Sequence, residues 1–135
     1  MSNEELAQLA VEAREMAYAP YSGFFVGAAL LTKKGTVYTG CNIENAAFTP
    51  TNCGERTAFF KAVSQGERDF EAIAIAGWKE GETAGFAYPC GVCRQVMMEF
   101  CDPNTFKVLV TDGEIVSAMF LGEIFPYGFG PGDLS

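Results

Sequence analysis

Histidine is absent from the 135 residues. Its absence rules out Ser-His and Cys-His nucleophilic pairs and any histidine-ligated metal, so the chemistry must run on Cys, Asp, Glu, Lys, Tyr or Ser. Positive charge is also scarce. The chain has 9 Lys and Arg against 17 Asp and Glu, a formal net charge of −8. Such a chain repels phosphate backbones and offers no basic footprint, which excludes a nucleic-acid partner and favours a small uncharged or cationic substrate. Long apolar runs are missing too, and Met1 to Glu5 has no cationic segment ahead of an apolar stretch. A soluble, cytoplasmic protein with no membrane partner is the expectation. Nothing is of low complexity. With 49% hydrophobic and 19% charged residues the composition is globular rather than disordered, and the length fits one domain over residues 1–135.

Cysteine is what the chain does have. The five thiols, Cys41, Cys53, Cys90, Cys93 and Cys101, form an odd set without a secretion signal, which argues against a disulfide framework and for reduced thiols open to a metal.

Leu6, Leu9, Ala10, Ala13, Met16 and Ala17 recur at spacings of three and four, predicting an amphipathic helix over Asn3 to Ala17 with Ser2 and Glu5 as a capping box. Phe24 to Leu31 and Thr36 to Asn42 read as a hairpin turning at Lys33-Lys34-Gly35. Glu55 to Gln65 reads as a helix, and Phe70 to Trp78 as a strand of alternating Ile and Ala packed on both faces. Gly91 to Cys101 follows as a helix, Phe106 to Thr111 as a strand, then a last short strand and helix and a Gly/Pro tail. Alternating strands and helices predict one α/β unit with helices on both faces of a single sheet.

Two helix starts carry the chemistry: Cys53-Gly54-Glu55, and Pro89-Cys90-Gly91-Val92-Cys93 some way downstream. Helix N-termini stabilise thiolates through free N–H groups and the positive dipole end. Three protein ligands leave a fourth zinc position open, as catalytic sites do, whereas structural sites close all four. Three thiolates on Zn²⁺ leave a net charge of −1, so Arg56 and Arg94, each beside a motif element, are candidates to hydrogen-bond the sulfurs. Alone, the Cys-x-x-Cys would equally suit a structural zinc half-site or a redox pair. Cys41 and Cys101 read as core thiols.

Together, the Cys-x-Glu element and the Pro-Cys-x-x-Cys element resemble the zinc-dependent nucleoside and nucleobase deaminases, in the form whose ligands are all cysteine. Further stretches are similar to the small homotetrameric cytidine deaminases: Tyr18-Ala19-Pro20-Tyr21-Ser22, Phe24 to Leu30, Gly40 to Ala46, and Pro89 to Gln95. The resemblance implies a three-layer α/β/α fold on one mixed, roughly five-stranded sheet. It implies Zn²⁺ held by Cys53, Cys90 and Cys93, and hydrolytic deamination of cytidine and deoxycytidine to uridine and deoxyuridine in pyrimidine salvage. Zinc-activated hydroxide would attack C4, with Glu55 as proton shuttle.

For the substrate, the resemblance implies Asn42 and Glu44 on the ribose, Phe24 stacked on the pyrimidine, and the backbone near Gly54 and Cys90 on the base edge. By pattern alone, Asn42 and Glu44 would cap a turn and Phe24 would be core. The resemblance further implies a homotetramer with sites at subunit interfaces, reached by a C-terminal phenylalanine, Phe129 matching better than Phe125. Gly54 stands where alanine is usual and Phe48 where tyrosine is frequent. The competing readings are a deaminase of another aminopyrimidine nucleoside such as blasticidin S, and a non-catalytic zinc-stabilised module closed by a fourth ligand such as Cys101.

Overall fold

The computed structural model describes residues 1–135. Helix α1, Asn3–Ala13, begins at a complete capping box: the Ser2 hydroxyl accepts from the Glu5 N–H while the Glu5 carboxylate accepts from the Ser2 N–H, each at 3.0 Å. The sequence predicts helix to Ala17, but the α-helix stops at Ala13 and Arg14–Met16 tightens into a 3-10 turn. That tightening accompanies a change of role at Arg14, whose side chain turns into the sheet.

Strands β1 (Phe24–Thr32), β2 (Val37–Cys41), β3 (Phe70–Lys79), β4 (Lys107–Thr111) and β5 (Val116–Phe120) form one mixed sheet in the order β2-β1-β3-β4-β5. Only β3 and β4 run parallel, and the helix a parallel crossover requires is α3, Gly91–Phe100. Helix α2, Gly54–Ser64, joins the hairpin to β3, and the short α4, Leu121–Ile124, follows β5. The three-layer expectation holds, with element ends within one or two residues beyond α1.

The side-chain alternation of β3 decides the layers. Ile73 and Ile75 pack with Ala28, Leu30, Val108 and Val110 under α2 and α3, around Phe59 and Met97. Ala72, Ala74 and Ala76 face the other way, with Ala29 and Leu31, against Leu6, Ala7 and Ala10 of α1. Small residues on that face let α1 lie close. At Gly27 an added Cβ would fall 2.1 Å from the Ala10 carbonyl oxygen, so no larger residue fits. The same device acts on the other face, where a Cβ on Gly40 would fall 2.5 Å from both the Ala58 nitrogen and the Gly54 carbonyl oxygen. The start of α2 therefore rests directly on β2.

Candidate active site

Cys53 and Cys90 are the N-cap residues of α2 and α3, both with extended backbone, and neither spends its side chain on capping. Their sulfurs are left free at the positive ends of two helices. Cys93, one turn into α3, is buried beneath them. The Cys53 and Cys90 sulfurs lie 3.9 Å apart and the Cys90 and Cys93 sulfurs 3.5 Å, and all three fall within 4.8 Å of one another.

The donor set fits zinc. Tetrahedral thiolates at a Zn–S distance of about 2.3 Å sit about 3.8 Å apart, close to both spacings. The protonation of the cluster points the same way. A hydrogen bond from Cys93 and the Arg56 guanidinium bring the Cys53 thiol down to about 5. The Cys93 thiol is driven upward by its hydrogen bond to Cys53, by burial and by the charges of Glu55, Cys53 and Cys90. Negative charge gathered on sulfurs this close together calls for a cation beside them. Arg56 supplies part of the compensation, directing Nε at 3.2 Å and Nη2 at 2.8 Å to the Cys53 sulfur. The metal cluster comprises three cysteines and no fourth donor; Cys101 packs against the core instead.

Glu55 is buried in the first turn of α2, two residues after Cys53. Burial lifts its carboxyl to about 7, and the neighbouring Cys53 charge adds to the lift. A carboxyl that binds and releases a proton near neutrality beside a metal cluster suits acid–base catalysis. The preceding Gly54 is tightly seated, since a Cβ there would lie 3.2 Å from a Val26 methyl and 3.3 Å from the Val26 carbonyl oxygen.

The other expected residues cluster around the first residues of β1. The Asn42 amide bridges that strand, accepting from the Val26 N–H at 2.9 Å and donating to the Phe24 carbonyl at 2.8 Å. The Glu44 carboxylate accepts from the Tyr21 and Ser22 N–H groups at 3.0 and 3.1 Å and from the Ser22 hydroxyl, which holds its pKa below the usual carboxylate range. Tyr21 and Ser22 belong to a stretch that carries the resemblance, yet nothing in their order assigns them to Glu44, 22 residues away for Ser22. A cavity of about 370 Å³ opens beside Glu44, lined also by Tyr21, Ser22, Asn45, Phe48 and Thr51. Phe48 reaches it from a left-handed backbone, φ 50°, uncommon for a phenylalanine.

Two expectations are refined at the C-terminus. Arg94 touches no sulfur; it donates to the Pro89 carbonyl at 2.7 Å and to the Ile124 carbonyl, tying the loop before Cys90 to the end of α4. Phe125 packs on the core, whereas Phe129 is 57% exposed, its carbonyl held by Gln95 at 2.8 Å. No helix is long and apolar enough to cross a membrane.

A cluster of three cysteine sulfurs at paired helix starts, with a buried glutamate beside it, is the donor set of a zinc site on an α/β/α scaffold. Residues 1–110 match the family model of the cytidine and deoxycytidylate deaminase zinc-binding region, and the chain belongs to that family of zinc-dependent hydrolases. It is 47% identical to a cytidine deaminase of Sporosarcina psychrophila over all of this chain and 96% of that one. It is 45% identical to a cytidine deaminase of Halalkalibacterium halodurans, over all of this chain and 99% of the other. The crystal structure of a cytidine deaminase from Burkholderia pseudomallei superposes with a TM-score of 0.87 at 45% identity, covering 96% of this chain and 100% of that one.

Proposed function

We propose that the protein hydrolyses cytidine and deoxycytidine to uridine and deoxyuridine with release of ammonia, as a cytoplasmic enzyme of pyrimidine salvage. The observation that carries this reading is the buried Glu55 carboxyl, two residues from Cys53, next to the Cys53, Cys90 and Cys93 cluster. Zn²⁺ on those thiolates supplies the Lewis acidity that makes water a nucleophile at neutral pH.

Glu55 takes a proton from the water that attacks C4 and delivers it to N3 of the pyrimidine, then takes the second proton from the new C4 hydroxyl and passes it to the exocyclic amine, which leaves as ammonia as the C4 carbonyl forms. Arg56 offsets the excess negative charge at the Cys53 sulfur. Phe24 stacks on the pyrimidine, a flat ring on a flat ring. Backbone groups at Gly54 and Cys90 read the base edge. Glu44, held ionised by Ser22, accepts from sugar hydroxyls. Asn42 joins it through the donor hydrogen and lone pair that the strand leaves unused. The exposed Phe129 extends to a neighbouring subunit's site in a homotetramer.

The test follows the loss of cytidine ultraviolet absorbance with purified protein before and after zinc removal by a chelator, with metal content measured in parallel and deoxycytidine as second substrate. Uridine formation that stops without zinc and returns on its addition is the expected result. A zinc-loaded, folded protein that leaves both nucleosides unchanged would overturn the substrate assignment.

A further inference from the structure

Arg14 is the one buried guanidinium that the chemistry above does not use. It closes α1 on the sheet face opposite the thiolates, and only 6% of it is exposed. Its Nε donates to the Phe25 carbonyl at 3.0 Å and its Nη2 to the Trp78 carbonyl at 2.7 Å. The guanidinium also lies 4.2 Å above the Trp78 ring. Its one carboxylate neighbour, Glu80 at 3.8 Å, is 77% exposed and contributes little. Burying a cation without a buried counter-charge is costly, and an aliphatic side chain would fill the same volume more cheaply. What arginine adds is geometry: a rigid fork that fixes two carbonyls at once.

Those carbonyls belong to directly opposed residues, Phe25 on β1 and Trp78 on β3. One step further is the last pair of the ladder, Phe24 with Lys79. Adjacent strand residues face opposite sides, so Phe24 points to the face of α2 and α3, where its ring lies over Gly77 beside Val26 and Ala87. From the β2 side, the Asn42 amide holds the Phe24 carbonyl. The end of β1 is therefore gripped on both edges, and Arg14 supplies the grip toward β3.

We infer that Arg14 is a positioning residue for the reaction: acting through the sheet, it fixes the backbone that aims the Phe24 ring at the base. This rests on the stacking role proposed for Phe24. A purely structural Arg14 would lower stability alone, whereas a positioning Arg14 raises KM in a way that depends on Phe24.

The test is a double-mutant cycle on the zinc-loaded enzyme with Arg14→Lys, Phe24→Ala and the double variant, reading KM and kcat for cytidine, zinc content and melting temperature. Arg14→Lys, which keeps the charge but loses the fork, raises KM about three- to tenfold with kcat within about twofold, and has no further effect on KM once Phe24 is alanine. An unchanged KM in Arg14→Lys, or the same rise in both backgrounds, would overturn the inference while leaving Phe24 in place. An unchanged KM in Phe24→Ala would remove the stacking role and the inference with it. Should Arg14→Lys fold poorly, the wild-type enzyme decides. Trp78 is the only tryptophan, and titration with uridine shifts its emission with the midpoint of uridine's competitive inhibition. Emission that stays constant through saturation would refute the link.

Discussion

Arg56 aims two nitrogens at the sulfur of Cys53, three residues before it in the chain. The pair joins the helix start to the metal cluster, placing a permanent cation where three thiolates leave an excess of negative charge. Arg56→Gln keeps a donor and removes the charge. Zinc affinity is expected to fall about 10- to 100-fold, read by competition with a chromogenic chelator. Affinity equal to the parent would mean that the guanidinium does not tune the metal.

Glu55→Gln retains zinc and loses about two to four orders of magnitude in kcat, because the amide cannot carry a proton. Near-parental turnover at full zinc occupancy would sink the shuttle role. The same variant has a pH signature in the zinc-free protein. Burial raises the Glu55 carboxyl from 4.5 to about 7, so the folded chain binds that proton more tightly than the unfolded chain. Stability from Glu55 is complete below about pH 4.5 and lost as pH rises to about 7. Glu55→Gln therefore gains on the parent across that window, by a few kcal/mol at most. Urea melts at pH 5 and pH 8 check it, and a constant difference between the two proteins would contradict it.

Cys101→Ala leaves one zinc per chain, whereas Cys93→Ala loses the metal, since Cys101 packs on the core and lies outside the thiolate cluster. Metal analysis after dialysis distinguishes them. Zinc lost from both variants would restore the closed four-ligand reading.

Gly40→Ala and Gly91→Ala add the same methyl with opposite results. At Gly40 the methyl meets the α2 backbone at 2.5 Å, while at Gly91 nothing lies within 4 Å. Denaturant melts should show a loss of about 3 kcal/mol or more at Gly40. They should show a neutral or slightly favourable change at Gly91, through the reduced entropy of the unfolded chain. Equal effects would mean that α2 is not seated as described.

Phe129→Ala and Phe125→Ala separate the two C-terminal aromatics. Phe125 packs on the core and Phe129 is exposed, so the first substitution lowers the melting temperature and the second raises KM for cytidine. Sizing is expected to report a tetramer for the parent. A fully active monomer would exclude any contribution across subunits.

Much of this was legible in the order of residues. The Ser2 and Glu5 box, the Ile and Ala alternation of β3 and the Cys90–Cys93 spacing are local patterns, and they translate directly into a helix start, strand faces and a neighbouring pair of thiols; Cys53 joins that pair only through the fold. The destinations of Arg14 and Arg94 were not legible. Both end on carbonyls, and because every residue carries a carbonyl, the acceptor leaves no mark in the sequence. Glu44 is a similar case: its partners are two N–H groups and a hydroxyl, brought near by the fold rather than by spacing. The early end of α1 is a further case: periodicity continues to Ala17, whereas the α-helix ends at Ala13, where Arg14 turns to the Phe25 and Trp78 carbonyls.

The two cysteine-bearing segments lie 37 residues apart, with β3 between them. β3 pairs with β1 on one side and β4 on the other, so in the folded chain the starts of α2 and α3 meet across the centre of the sheet. A metal held by both segments would close the 37-residue loop between them, so zinc removal would cost stability across the whole sheet and not only at the site.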